Sequence, residues 1–169
     1  MKKFELTNEF ITNMFGTKLF RIRALVEFGD VEAGELGGYV EKESNLGHDD
    51  NAWVYDNAWV YGNARVYGNA WVYGNAWVYG NALVCSDEDY AYAHGFGSVN
   101  RTTTFFRLKD GGVGVRCGCF YGTLAQFRDK IRETHGETKK AQEYLMLADL
   151  MELRFEEDEN EVGNRKYVE

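Results

Sequence analysis

Between Asn51 and Val84 the chain repeats one six-residue unit, NAWVYD-NAWVYG-NARVYG-NAWVYG-NAWVYG-NALV, almost without change. Within each unit Ala and Val stand two positions apart, and aromatic residues flank the Val. Alternate residues of an extended chain point to opposite sides. The pattern therefore predicts one narrow apolar face of Ala and Val, running from Ala52 and Val54 to Ala82 and Val84. The other face carries Trp53, Tyr55, Trp59, Tyr61, Trp71, Tyr73, Trp77 and Tyr79, with Arg65, Tyr67 and Leu83 in equivalent places. The Gly-Asn or Asp-Asn pair between units is a corner, because these residues tolerate positive φ. Four-residue strands are too short for a meander of stable hairpins. A unit that cannot bury its own apolar face must stack on its neighbours.

This pattern resembles the hexapeptide repeat of a left-handed parallel β-helix, in which three hexads make one triangular coil. The resemblance implies an 18-residue coil, and thus about two coils in this block. Trp53 then stacks over Trp71, Trp59 over Trp77, and Arg65 over Leu83.

Upstream, Lys2 to Leu6 and Leu19 to Val26 read as short strands around a turn at Gly16, capping a solenoid end that otherwise leaves unpaired edges. Gly37-Gly38-Tyr39-Val40 and Ser44-Asn45-Leu46 are degenerate hexads. The next inward residue after Leu46 is Val54, so Gly47-His48-Asp49-Asp50 holds a two-residue insertion at a corner. The run RIRALVEFGDVEAGELGGYVEKESNL, followed by NAWVYDNA, resembles a group of phage and prophage hexapeptide-repeat proteins of unassigned role. The likeness covers Leu19 to Val84, and its motifs bring no chemistry with them. Members of that group read GSRN-like where this chain has Gly97-Ser98-Val99-Asn100-Arg101, which moves any shared arginine role to Arg101.

After Val84 the repeat decays, with one last strand around Tyr90, Tyr92 and His94 before Gly95-Phe96-Gly97-Ser98. Thr102 to Lys109 is a strand by its β-branched and aromatic content. Asp110-Gly111-Gly112 is a hairpin turn, and Val113 to Phe120 returns with Val113, Val115, Cys117 and Cys119 on one face. Thr123-Leu124-Ala125-Gln126 is a capping box opening a helix to Thr134, closed by glycine at 136. A second helix runs from about Thr138 to Leu153, and the acidic tail regains a strand at Arg165 to Val168. The fold class expected is mainly β: a left-handed parallel β-helix with an N-terminal cap (1–30), the solenoid (31–95) and a β-hairpin plus two-helix module (96–169).

Charge changes the picture in one place. The net charge of −8 argues against duplex nucleic acid, whose recognition depends on phosphate neutralisation. Yet the stretch from Asn100 to Lys140 holds nine basic residues against four acidic ones, a hint of an anion site. The glycine-rich junction before Thr123, with the free N–H groups of the helix, reads as an anion cradle. Its expected ligand-binding residues are Asn100, Arg101, Arg107, Arg116, Gly122 and Thr123, and a nucleotide-like signal suits them. The competing reading is an ordinary capped helix.

The nine Trp and Tyr residues of the repeat, the eight named above and Tyr67, form an exposed patch too large for a bare monomer. The eight named above mark an oligomer or partner face, in a dimer or trimer, unless the chain covers them itself. Cys117 and Cys119 with His94 or His135 do not match a zinc-site spacing, and neither metal nor cofactor is expected. His48, His94 and His135 lack the pattern of a general base. No apolar run is long enough to cross a bilayer, and MKKFELTNEF is too polar for a signal peptide. With only three cysteines, these observations predict a cytoplasmic protein of an infected bacterium. Its expected role is non-catalytic: evading host defence by sequestering an anionic signal. The alternatives are direct inhibition of a host protein, or acyl transfer as in other hexapeptide-repeat folds.

Overall fold

The computed structural model describes residues 1–99 and 101–156. Three two-residue strand pairs and their corners build a parallel β-solenoid. Its strands are β3 (Leu36–Val40), β4 (Trp53–Val54), β5 (Trp59–Val60), β6 (Arg65–Val66), β7 (Trp71–Val72), β8 (Trp77–Val78) and β9 (Leu83–Val84). Trp53 pairs with Trp71, Trp59 with Trp77 and Arg65 with Leu83, all parallel. This is the register expected from an 18-residue coil. One coil earlier Tyr39 pairs with Trp59, and Leu46 bridges Val66. Both intervals are two residues longer, as the insertion at 47–50 requires.

The interior is the column of Ala and Val predicted above. Every one of these residues from Ala52 to Val84 is buried, and each Val contributes about 1.5–3 kcal/mol by leaving water. The narrow bore explains the choice of Ala. Corner glycines 62, 68, 74 and 80 all have φ between 64° and 69°, a region in which a Cβ is strained. Gly38 serves a different purpose: a Cβ there would stand 2.6 Å from the Ala58 carbonyl oxygen, so only glycine lets the first coil close on the second.

Both solenoid ends are capped by the chain itself. At the first, β1 (Phe4–Thr12) is longer than the expected strand, and β2 (Lys18–Ala24) begins and ends earlier than expected. They add antiparallel to β3, giving one sheet in the order β1-β2-β3-β5-β8. The corner insertion holds this cap in place. The Lys3 ammonium donates to the carbonyls of Asp50 and Ala52 at 2.8 and 2.7 Å. His48 Nδ1 accepts the Lys3 backbone N–H, its ring stacks on Phe4, and its Nε2 faces Glu43 at 3.0 Å.

At the other end the expected hairpin is in fact a four-stranded antiparallel sheet: β10 (Tyr90–His94), β11 (Thr102–Arg107), β12 (Val113–Cys117) and β13 (Phe120–Thr123). Two of its strands depart from the reading of the sequence. The strand at Tyr90 belongs to this sheet rather than to the solenoid, because it pairs along its whole length with β11. The run to Phe120 breaks at Gly118-Cys119 into a turn that β13 follows. Trp77 N–H donates to Thr104 Oγ1, Tyr73 N–H to Tyr90 Oη, and Lys109 N–H to the Asn81 carbonyl. These bonds occupy the last coil's edge. Helices α1 (Leu124–His135) and α2 (Lys139–Phe155) pack on the sheet through Phe127, Ile131, Tyr144, Ala148 and Met151. The Thr123 capping box forms as read, and the strand expected at Arg165 to Val168 lies outside the described residues.

Candidate functional site

The five expected ligand residues that are described, Arg101, Arg107, Arg116, Gly122 and Thr123, do not converge. Arg107 is buried, and its Nε donates to Asp89 Oδ1 at 3.1 Å. Its other nitrogens reach the carbonyls of Gly111 and Phe155. It ties the sheet to the solenoid's final corner and presents nothing to a ligand.

Arg116 is also buried. Its guanidinium lies 5.9 Å from the Trp77 ring centre and 5.5 Å from those of Tyr79 and Phe15. Beneath it Trp77 stacks on Trp59 at 4.5 Å and 5°, and Tyr79 on Tyr61 at 4.5 Å. Arg116 thus covers two aromatic columns with one cation, a favourable arrangement of charge over π faces. Burial raises the Tyr61 phenol pKa, and the neighbouring Arg116 works against that shift.

The anion cradle expected at Gly122 and Thr123 is corrected as well. Thr123 Oγ1 accepts the Gln126 N–H while Gln126 Oε1 accepts the Thr123 N–H. The shallow hollow beside that helix end carries the carboxylates of Asp110, Glu152 and Glu156. Such a surface repels anions. Asn100 lies outside the described residues.

Arg101 has a different setting. It lines a groove of about 630 Å³ between the solenoid and the end of the second sheet, within the size range of small-molecule sites. The solenoid wall supplies Trp59 and Trp77 and, at the corner beside them, the carboxamides of Asn57 and Asn75. The sheet wall supplies His94 and Thr102, whose side chains meet at 2.9 Å, and the Gly118-Cys119 turn. Arg101 packs so close over Gly118 that a Cβ there would overlap its guanidinium. Met14 from the β1–β2 turn and Val99 close the mouth. Among the described residues no carboxylate lines this groove, although the chain carries 27 acidic residues. Among the described residues Arg101 has no ion-pair partner.

Of these groove residues the sequence points only to Arg101 as a ligand residue; Trp59 and Trp77 read from it as an oligomer or partner face, and Asn57, Asn75 and His94 do not stand out as groove residues. The two asparagines were legible only as turn formers. Their shared face follows from the 18-residue coil, which sets them one above the other.

The aromatic ladder is largely covered from within. Trp53, read as outward, is fully buried under Phe4 and Phe28. Tyr61 is buried with Leu19 and Tyr39, and Tyr79 meets Tyr121 edge-on at 4.9 Å. Trp59, Trp71, Tyr73, Trp77 and Tyr55 are half-buried, and each stacks or tilts against a neighbouring ring. Cys117 and Cys119 do not share a face: Cys117 is buried near Thr103 and Tyr144, whereas Cys119 is exposed at the turn. His48 and His135 serve packing, the latter stacked on Tyr144.

A family model described as the YdcK beta solenoid repeat matches residues 58–74. No curated protein matches the chain. Fold, register and family model together define a mainly β protein built on a β-solenoid repeat, with two α-helices in its C-terminal part. No helix among the described residues is long and apolar enough to cross a membrane.

Proposed function

We propose that this is a non-catalytic binding protein that takes a small anionic, nucleotide-like ligand into the groove at Arg101. The observation that carries the reading is the groove's lining: two tryptophans, two asparagines one coil apart and Arg101, with no acidic residue among the described lining, in a chain of net charge −8. Arg101 suits a phosphate, to which a guanidinium offers paired donors. Asn57 and Asn75 suit the edge of a heterocycle, and the tryptophans give an apolar wall. The likeness of the segment 19–84 to phage hexapeptide-repeat proteins supports a setting in the cytoplasm of an infected bacterium. Sequestering a nucleotide signal there would counter host defence. The six-residue period supports a left-handed coil.

Calorimetry against linear and cyclic nucleotides tests the reading. Binding by the wild type that falls at least tenfold in Arg101→Ala, with the fold intact, is the expected result. No binding by any nucleotide, or equal binding by Arg101→Ala, overturns it.

A second reading, direct occupation of a host protein, draws on the exposed Met14, Phe15, Phe96 and Val99 at and near the groove mouth. Capture of one stoichiometric partner that Met14→Glu abolishes would favour it over the first. Acyl transfer would need a carboxylate to orient His94, and the partner of its Nδ1 is the Thr102 hydroxyl.

A further inference from the structure

His94 and Arg101 stand side by side where β10 ends and β11 begins. His94 pairs with Thr102, and the Gly95 N–H donates to the Arg101 carbonyl at 3.3 Å. Both side chains line the groove.

The imidazole is held by one edge. Its Nδ1 and the Thr102 hydroxyl meet at 2.9 Å, as cross-strand partners on one face of a sheet can. The ring is exposed, and its Nε2 makes no hydrogen bond among the described residues. A hydroxyl both donates and accepts. Thr102 can therefore hold the ring whether Nδ1 is a bare acceptor or carries a proton. With the ring charged, Nδ1–H donates to Thr102, and Nε2–H is left as a charged donor. A carboxylate at Nδ1 would favour the charged ring even without a ligand; a hydroxyl leaves the charge to whatever arrives at Nε2.

The neighbours of the ring make an anion the natural arrival. From β11 comes the Arg101 guanidinium, and from the turn after β12 the Cys119 thiol. The solenoid corners bring the neutral carboxamides of Asn57 and Asn75, and the β1–β2 turn brings the Met14 thioether. Among these described lining residues Arg101 alone carries a fixed charge. An imidazolium beside it gains nothing from such neighbours, but gains a charge-assisted bond from a phosphate oxygen in the groove.

We infer that His94 is a second phosphate-binding residue of this groove, taking up a proton from solvent as the ligand binds; the inference rests on the nucleotide reading above. Nε2–H then donates to one phosphate oxygen while Arg101 holds another. Imidazole is the side chain that changes charge between about pH 5 and 8, so affinity follows pH, rising as pH falls.

A cyclic mononucleotide is the probe, because its phosphodiester stays a single anion across this range and any pH dependence belongs to the protein. Calorimetry on the full chain should show affinity rising about tenfold from about pH 8 to about pH 6. Repeating it in buffers of different ionisation enthalpy should show proton uptake on binding. His94→Gln should abolish both effects and weaken binding about tenfold at the acid end. In the wild type, the ring-proton resonance of His94 should titrate at higher pH when the probe is bound, with those of His48 and His135 unmoved. Failure of the probe to bind while another nucleotide binds through Arg101, binding that is flat with pH, or a pH profile that survives His94→Gln overturns this role for His94 alone. Absence of binding by any nucleotide overturns the reading of the groove as well.

Discussion

Arg107 and Asp89 form a buried ion pair, Nε to Oδ1 at 3.1 Å, at the junction between the last solenoid corner and the second sheet. Asp89 Oδ2 meanwhile accepts the backbone N–H groups of Cys85 and Ser86. The carboxylate therefore closes the corner and anchors the strand that crosses it. Breaking such a pair leaves an uncompensated buried charge, at about 3–5 kcal/mol. Arg107→Met should lower the melting temperature by roughly 10 °C without changing the groove. Adding Asp89→Asn should recover part of the loss. Thermal denaturation of the single and double variants checks both expectations.

The N-terminal clasp has an optical signature. Lys3 is 3% exposed, and its burial lowers its pKa while Asp50 opposes the shift. Lys3→Met leaves the Asp50 and Ala52 carbonyls without their donor, a cost of about 1–3 kcal/mol. Trp53 lies under this cap, so loosening it should red-shift the tryptophan emission and raise acrylamide quenching in the folded protein. An unchanged spectrum would show that the cap stands without Lys3.

Trp59 and Trp77 are near-parallel at 4.5 Å, close enough for their indole transitions to couple. Replacing either by Phe should abolish one exciton band in the circular dichroism spectrum, and replacing both should remove no more. Because stacked pairs are worth about 0.5–1.5 kcal/mol beyond area, each single variant should lose about that much stability in urea. A band that persists in both single variants contradicts the geometry.

Alkaline pH should destabilise the fold. Burial raises the phenol of Tyr90 to about 12, and Tyr55 and Tyr67 likewise reach about 12. The sign follows from linkage: a phenol harder to ionise when folded stabilises the protein fully below about pH 10. That contribution fades as pH rises toward about 12. Absorbance at 295 nm should show these tyrosines ionising late, and urea midpoints should fall between pH 9.5 and 11.5. Tyr90→Phe should flatten that fall. Ionisation of every tyrosine near pH 10 in the folded chain would contradict it.

Cys119 offers a reporter for the groove. It is exposed and lines the wall, whereas Cys117 is buried and Cys85 half-buried. A thiol reagent should modify Cys119 first, and a ligand held at Arg101 should slow that reaction while leaving Cys85 unaffected. Equal protection of both thiols would point to a global effect instead of groove occupancy.

The repeat was legible because its information is local. Alternation at Ala and Val sets the inward face, Gly-Asn sets the corners, and a fixed period sets which aromatic lies over which. The Trp59–Trp77 column and the Thr123 cap follow from spacing alone. The groove was not legible, since it joins Asn57 to Arg101 and Met14 to Cys119 across strands that no period relates. The shared positive charge of Arg101, Arg107 and Arg116 concealed three separate fates. Burial against Asp89 makes one a tie, aromatic columns beneath another make it a lid, and the third is left facing solvent beside a wall with no acid among the described residues.

What the sequence by itself determined was a solenoid: its strands, its corners, its interior and its register. Each depends on interactions between a residue and its own repeat, and these recur wherever the repeat does. The tertiary structure decided how the ends are closed, which aromatics see water and where a ligand fits. Those outcomes depend on contacts between segments far apart in sequence. Lys3 reaching Asp50 and Trp77 reaching Thr104 are of that kind, and their energies exist only once the chain has folded back on the coil.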